Sequence, residues 1–115
     1  MVMPMHNTDL SFSALRAANT ERINNTPFYA RTRQWGAAEW CLSIMGELGE
    51  AANLIKKVYR GDFTFEDRRK AIEDELADVI IYVDLLARRL GINLGAVVAR
   101  KFNEVSERVG SPVRL

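Results

Sequence analysis

Two carboxylates stand three residues apart inside an apolar helical stretch, WCLSIMGELGEAANLIKKVYR, from Trp40 to Arg60. At about 100° per residue, Trp40, Ile44, Ala51, Leu54 and Val58 gather in one sector of a helix. Glu47 falls at the edge of that sector rather than opposite it, and Glu50 shares its face. Solvated glutamates belong on the far side, and anions at the rim of a core face are costly unless a cation compensates them. The stretch AIEDELADVIIYVDLLARRL presents a second pair. Its apolar sector holds Ile72, Val79, Val83, Leu86 and Leu90, with Glu75 beside it and Asp78 one step further round. Two such helices packed side by side bring four carboxylates to one spot. Like charges that close raise one another's pKa or repel. A hard divalent cation removes the conflict, and Mg²⁺ takes oxygen ligands of this kind.

The rest of the chain supplies helices around these two. Residues 1–9 read as a loose tail, whose last residue, Asp9, is placed to cap a first helix over Leu10 to Ile23. Asn24 to Pro27 ends it, because a residue before proline avoids helical backbone. A connector from Phe28 to Gln34 holds Arg31 and Arg33. The second helix is expected from Trp35 to Tyr59, stopped by Gly61. Thr64 with Asp67 forms a capping-box pair at the start of the third. Gly91 stops that helix, Asn93 caps a fourth over Leu94 to Val109, and Gly110 and Pro112 close it. No stretch alternates with period two for long enough to make a strand. The expected fold is all-α, one domain over residues 1–115, with the motif-bearing helices in 35–109.

Charge separates function classes. With 16 basic and 15 acidic residues, the chain lacks the basic field of a nucleic-acid or membrane-surface binder. Its longest apolar run, Val79 to Val83, is too short to span a bilayer. Met1 to Asp9 shows no basic region followed by an apolar core, so no secretory signal is expected and the location is taken as cytoplasmic. The single cysteine, Cys41, is expected to be a small buried hydrophobe. The single histidine, His6, lies in the tail and reads as solvated. Ile80, Ile81, Tyr82, Val83, Leu85 and Leu86 cover most of the third helix's circumference. A helix apolar nearly all round is buried on more than one side, so it is expected to make a subunit contact.

A lone E-x-x-E pair usually decorates a solvated face, since glutamate is a good helix former. Two pairs, each bordering an apolar sector on its own long helix, point instead to a metal site. Gly46 and Gly49 flank Glu47 at a cost of about 1 kcal/mol each in helix propensity, and leave room for a close neighbour. Glu73 and Asp74 read as solvated. No histidine stands in any helix, and an all-oxygen set favours Mg²⁺ or Mn²⁺ over zinc, copper or iron. Metal-bound carboxylates beside cations suggest phosphate. Lys57 follows Glu50 two turns on, and Lys101 and Arg108 share a flank of the fourth helix; taken singly, each reads as an ordinary solvated charge. Trp40 reads as core, whereas Trp35, beside Arg31 and Arg33, is free to stack on a base.

GELGEAANLIKK followed by ELAD, with 24 residues between Glu50 and Glu75, resembles the E-x-x-E…E-x-x-D signature of the MazG-like family. That family belongs to the all-α nucleoside triphosphate pyrophosphohydrolases, and the similarity covers about Trp35 to Arg108. The resemblance implies a four-helix-bundle fold completed by oligomerisation as a homodimer or homotetramer, with the base pocket partly from a neighbouring chain. It implies Glu47, Glu50, Glu75 and Asp78 as Mg²⁺ ligands, and Lys57, Lys101 and Arg108 as phosphate contacts. Many relatives carry an asparagine one turn after the Lys101 position, where this chain has Val105; Asn103 is the candidate in its place. The implied reaction is hydrolysis of a nucleoside triphosphate between the α and β phosphates, with Glu50 or Glu47 taking the proton of the attacking water. The competing readings are a phosphoribosyl-ATP pyrophosphohydrolase and a non-catalytic helical module whose acidic pairs bind a basic partner.

Overall fold

The computed structural model describes residues 10–115. Four α-helices follow one another: α1 (Phe12–Asn25), α2 (Ala37–Arg60), α3 (Phe65–Arg89) and α4 (Leu94–Val109), with two short 3₁₀ turns, Pro27–Tyr29 and Thr32–Gln34, between α1 and α2. The fold is all-α, with no strand among the described residues.

The helix ends follow local chemistry. Ser11 caps α1, its hydroxyl accepting from the Ala14 N–H at 3.0 Å; the expected cap, Asp9, lies outside the described residues. Leu10 precedes the helix rather than opening it. Thr26, held extended before Pro27, ends α1. Instead of starting at Trp35, α2 begins after Gly36, whose N–H donates to the Glu39 carboxylate at 3.0 Å. Thr64 and Asp67 cap α3 reciprocally. Asn93 caps α4. Gly61, at φ +89°, takes the left-handed conformation that lets the chain reverse from α2 into α3.

The long helices α2 and α3 form an antiparallel hairpin, and α1 packs on a second side of α3. The core lies where the three meet. Ile23, Trp40 and Leu85 are buried, with Tyr29, Trp35, Ile81, Tyr82 and Leu86 packed against them. A polar lock fastens α1. Asp84 is fully buried, and one carboxylate oxygen accepts from the Arg16 Nε at 3.0 Å while the other accepts from the Asn19 amide at 3.0 Å. Arg16 also donates to the Ile92 carbonyl at 2.9 Å, which ties in the corner before α4. A buried carboxylate is tolerated when it is paired and hydrogen-bonded in this way.

One expectation about an apolar residue does not hold in this chain. Cys41 is exposed, because α2 carries a second apolar stripe beside the one that meets α3. Leu42, Met45, Ile55 and Tyr59 share that exposed stripe. On α3, Ile81 packs into the chain's own core; the bare sector holds Leu76 and Ile80, about half exposed. With α2 and α1 on two sides of α3, the third side has no cover among the described residues. At about 100° per residue, both bare stripes turn to the same side of the hairpin. No helix among the described residues is long and apolar enough to cross a membrane.

Candidate metal centre

The antiparallel crossing of α2 and α3 brings the two acidic motifs together. One carboxylate oxygen each from Glu47, Glu75 and Asp78 lies within 4.8 Å of the others, and all three residues are half-buried. Glu50 is exposed at the rim, outside that close group. The helical pitch explains the grouping. Glu47 and Glu50 are one turn apart on α2, Glu75 and Asp78 one turn apart on α3, and each pair borders the face its helix turns to the other.

The electrostatics of the cluster are those of a site lacking positive charge. Glu75 Oε2 is buried with no hydrogen-bond partner. The Glu75 pKa is raised, first by its hydrogen bond with Glu47, then by burial, then by the charge of Glu47, with Asp78 adding to it and Glu50 acting in the opposite sense. None of the four carboxylates enters an ion pair among the described residues. Buried polar atoms are almost always satisfied, so an orphaned carboxylate oxygen facing two further carboxylates calls for a cation. The donor set is all oxygen, which fits a hard divalent ion.

The other candidate residues are distributed unevenly. Lys57 lies half-buried on α2 and pairs with no carboxylate. Trp35 is half-buried rather than free, its ring edge-on to Trp40 with centroids 4.8 Å apart. Trp40 in turn meets Tyr82 at 5.9 Å. Tyr82, one turn beyond Asp78, was missed by sequence reasoning, although its four-residue spacing from Asp78 places both on one face. Burial raises its pKa, and the charges of Glu47 and Asp78 raise it further, so its phenol stands beside the carboxylates. Trp35, Trp40 and Tyr82 therefore make a row of aromatic rings leading to the acidic cluster.

Lys101 and Arg108 are exposed on α4, which packs appreciably only against α1, so this chain does not bring them to its own carboxylates. Asn103 is occupied: its amide donates to the Leu115 carbonyl at 3.1 Å and its oxygen accepts from the Leu115 N–H at 2.8 Å. A Cβ added at Gly46 or Gly49 would meet nothing within 4 Å, so neither glycine admits a close neighbour from the same chain. A cleft of about 450 Å³ opens between Phe12, Arg16, Asp84 and Gly95. It contains none of the four carboxylates, and its charged lining is already satisfied by the Asp84–Arg16 pair. Concavity and chemistry mark different places here, and the unpaired carboxylates are the stronger mark of function.

The profile of the MazG-like family matches residues 45–112, a span that includes all four carboxylates, Lys57, Lys101, Asn103 and Arg108 but not Trp35. The chain is also 37% identical over 70 residues to the "Gene 37 protein" of Mycobacterium phage L5, an overlap that covers 58% of this chain and 60% of that relative.

Proposed function

The chain belongs to the MazG-like family, and on that premise we propose that it is a Mg²⁺-dependent nucleoside triphosphate pyrophosphohydrolase. It cleaves a (deoxy)nucleoside triphosphate between the α and β phosphates, giving the monophosphate and pyrophosphate. The observation that carries this reading is the orphaned, buried Glu75 Oε2 within a cluster of carboxylate oxygens 4.8 Å or less apart.

In this reading Glu47, Glu75 and Asp78 hold Mg²⁺, or Mn²⁺ in its place, with Glu50 completing the set from the rim. Held there, the cation would supply neutralisation of phosphate charge and a lowered pKa for water. Glu50, the most exposed of the four, is the best placed to accept that water's proton when it is not itself a ligand; Glu47 is the alternative base. Tyr82 borders the site with a neutral phenol, a donor that adds no charge to the repulsion. Trp35 offers an aromatic edge for a base, and Lys57 a cation for a phosphate. The working unit is a homodimer or homotetramer in the cytoplasm, acting on a free nucleotide rather than on a nucleic acid or a membrane.

Product analysis tests this. Incubation with a panel of canonical and modified nucleoside triphosphates and Mg²⁺ should release pyrophosphate and the monophosphate in equal amounts from at least one substrate, and none in EDTA. Release of orthophosphate and a diphosphate would place the cleavage at the wrong bond. Turnover of phosphoribosyl-ATP alone would reassign the substrate. Absence of any turnover across the panel would favour a non-catalytic acidic module.

A further inference from the structure

Helix α1 carries a guanidinium that packing and capping leave unused. Arg22 stands one residue before the buried Ile23, about 100° round the helix from it. A cation in the last turn suits the helix dipole. Yet the side chain that caps this end is Arg33, whose Nε donates to the Ile23 carbonyl at 2.9 Å. The arginines that close α3 are engaged as well: Arg88 donates to the Thr20 hydroxyl at 3.1 Å, and Arg89 to the Trp35 carbonyl at 3.2 Å. The Arg22 side chain enters no ion pair and makes no hydrogen bond among the described residues. Its contact is aromatic, with Cζ 5.8 Å from the centroid of the Tyr29 ring.

That ring joins Arg22 to the site. Tyr29, Trp35 and Tyr82 all pack against the buried Ile23, Trp40 and Leu85, and Trp35, Trp40 and Tyr82 make the row that leads to the carboxylates. The charge of Arg22 also reaches the Tyr82 phenol, where it works against burial and the charges of Glu47 and Asp78, which raise the pKa. A nucleotide whose phosphates meet the carboxylate cluster lays its base along these rings, and Arg22 is then a spare donor at the base. A guanidinium reads more than charge. It is a planar fork, and two parallel hydrogen bonds from it require two acceptors side by side. Guanine offers O6 with N7, and cytosine offers O2 with N3. Adenine sets its amine beside N7 and N1, and thymine and uracil set an N–H between their carbonyls, so these bases turn a donor toward the fork.

We infer that Arg22 sets base specificity: its guanidinium donates two hydrogen bonds to the base edge of the substrate, and so selects guanine or cytosine nucleotides over those of adenine, thymine and uracil. That the ligand is a nucleotide rests on the proposed hydrolase reading; the position of Arg22 beside the aromatic row does not. Arg22 lies outside residues 45–112, the span that matches the family. A base preference set here is a property of this chain's own α1 rather than of the acidic motif.

The test measures kcat/KM with Mg²⁺ for dGTP, dCTP, dATP and dTTP, in the wild type, Arg22→Gln and Arg22→Lys. At least one of dGTP and dCTP should exceed dATP and dTTP by about 10- to 100-fold, the scale of one bidentate base contact. A dGTP preference should vanish with 7-deaza-dGTP, which lacks N7, and a dCTP preference identifies the cytosine edge. Arg22→Gln should flatten the preference, and Arg22→Lys should not restore it, because a point charge lacks the fork. A wild-type preference for dATP or dTTP overturns the assignment, as does a preference unchanged in Arg22→Gln. So does an equal loss on all four substrates, which is the mark of a phosphate contact. The same series bound as α,β-methylene analogues, followed by tryptophan fluorescence, reads the preference without turnover. Base preference in binding without pyrophosphate release from the wild type leaves Arg22 in its role and removes the hydrolase reading. Pyrophosphate release without base preference does the reverse, and binding of none of the analogues overturns both.

Discussion

Two carboxylates on α3 show how environment divides roles between residues of one type. Asp84 is fully buried but holds a guanidinium and an amide at 3.0 Å each; Glu75 has only other carboxylates for company. Asp84 is therefore structural. Removing its cation by Arg16→Ala strands a buried charge and should cost about 3–5 kcal/mol in urea unfolding; a cost under about 1 kcal/mol, the scale of an exposed pair, would contradict that role. Glu75 has the opposite sign. Its folded pKa is raised above that of a free glutamate side chain, so the folded state holds its proton more tightly than the unfolded chain does. That contribution favours folding at low pH and is lost as pH rises above 4.5 and through the raised value. In EDTA at neutral pH, Glu75→Gln should thus melt at a higher temperature than the wild type, and its melting should fall less between pH 5 and pH 8. Mg²⁺ should raise the wild-type melting temperature and leave that of Glu75→Gln nearly unchanged. A Glu75→Gln protein that melts lower in EDTA would show that the carboxylate is satisfied as it stands. Glu75 was legible in the sequence because its position depends only on the pitch of its own helix. Asp84 was not, because the residues that make its burial possible are 68 and 65 positions away on α1.

At the scale of the element, capping chemistry made boundaries readable. Thr64 with Asp67, Asn93 with the Ala96 N–H, and the glycines after α2, α3 and α4 all act where their local preferences put them. What local chemistry did not determine was which apolar stripe of a helix meets which neighbour. Helix α2 has two stripes, and only packing against α3 decided that Trp40 and Ala51 are buried while Cys41 and Leu42 are exposed. On α3 the apolar run is continuous, so the sequence indicated burial on several sides without saying which side belongs to the chain itself. The structure divides them: Ile81 faces the core, and Ile80 and Leu76 face outward. Ile81→Asp should therefore unfold the chain, seen as lost helical circular dichroism. Leu76→Asp and Ile80→Asp should keep the helical signal but shift the mass toward monomer in light scattering. An Ile80→Asp protein that keeps the wild-type mass would move the subunit contact elsewhere.

The whole molecule is open for its size, with an elongated hairpin, one helix docked on it and another leaving it. A core of few fully buried side chains is marginal for a single chain of this length, and a symmetric pairing of bare apolar faces would supply further burial. Bare apolar faces are only half visible in a sequence: the excess of apolar residues can be read, the packing that leaves some of them uncovered cannot. The same division applies to the site. Three of the four carboxylates were brought together as their spacing suggested, whereas Lys101 and Arg108 are exposed on α4, which packs on α1. The metal is assigned to chemistry rather than to stability, since the core around Ile23, Trp40 and Leu85 is separate from the carboxylates; EDTA should lower the melting temperature modestly and leave the fold intact. The account stands most directly on kcat for pyrophosphate release, measured with Mg²⁺ for the wild type and for Glu47→Gln, Glu50→Gln, Glu75→Gln and Asp78→Asn, each checked for helical content. It predicts a loss of about 100-fold or more for every variant; folded variants of which three keep near-normal rates would contradict it.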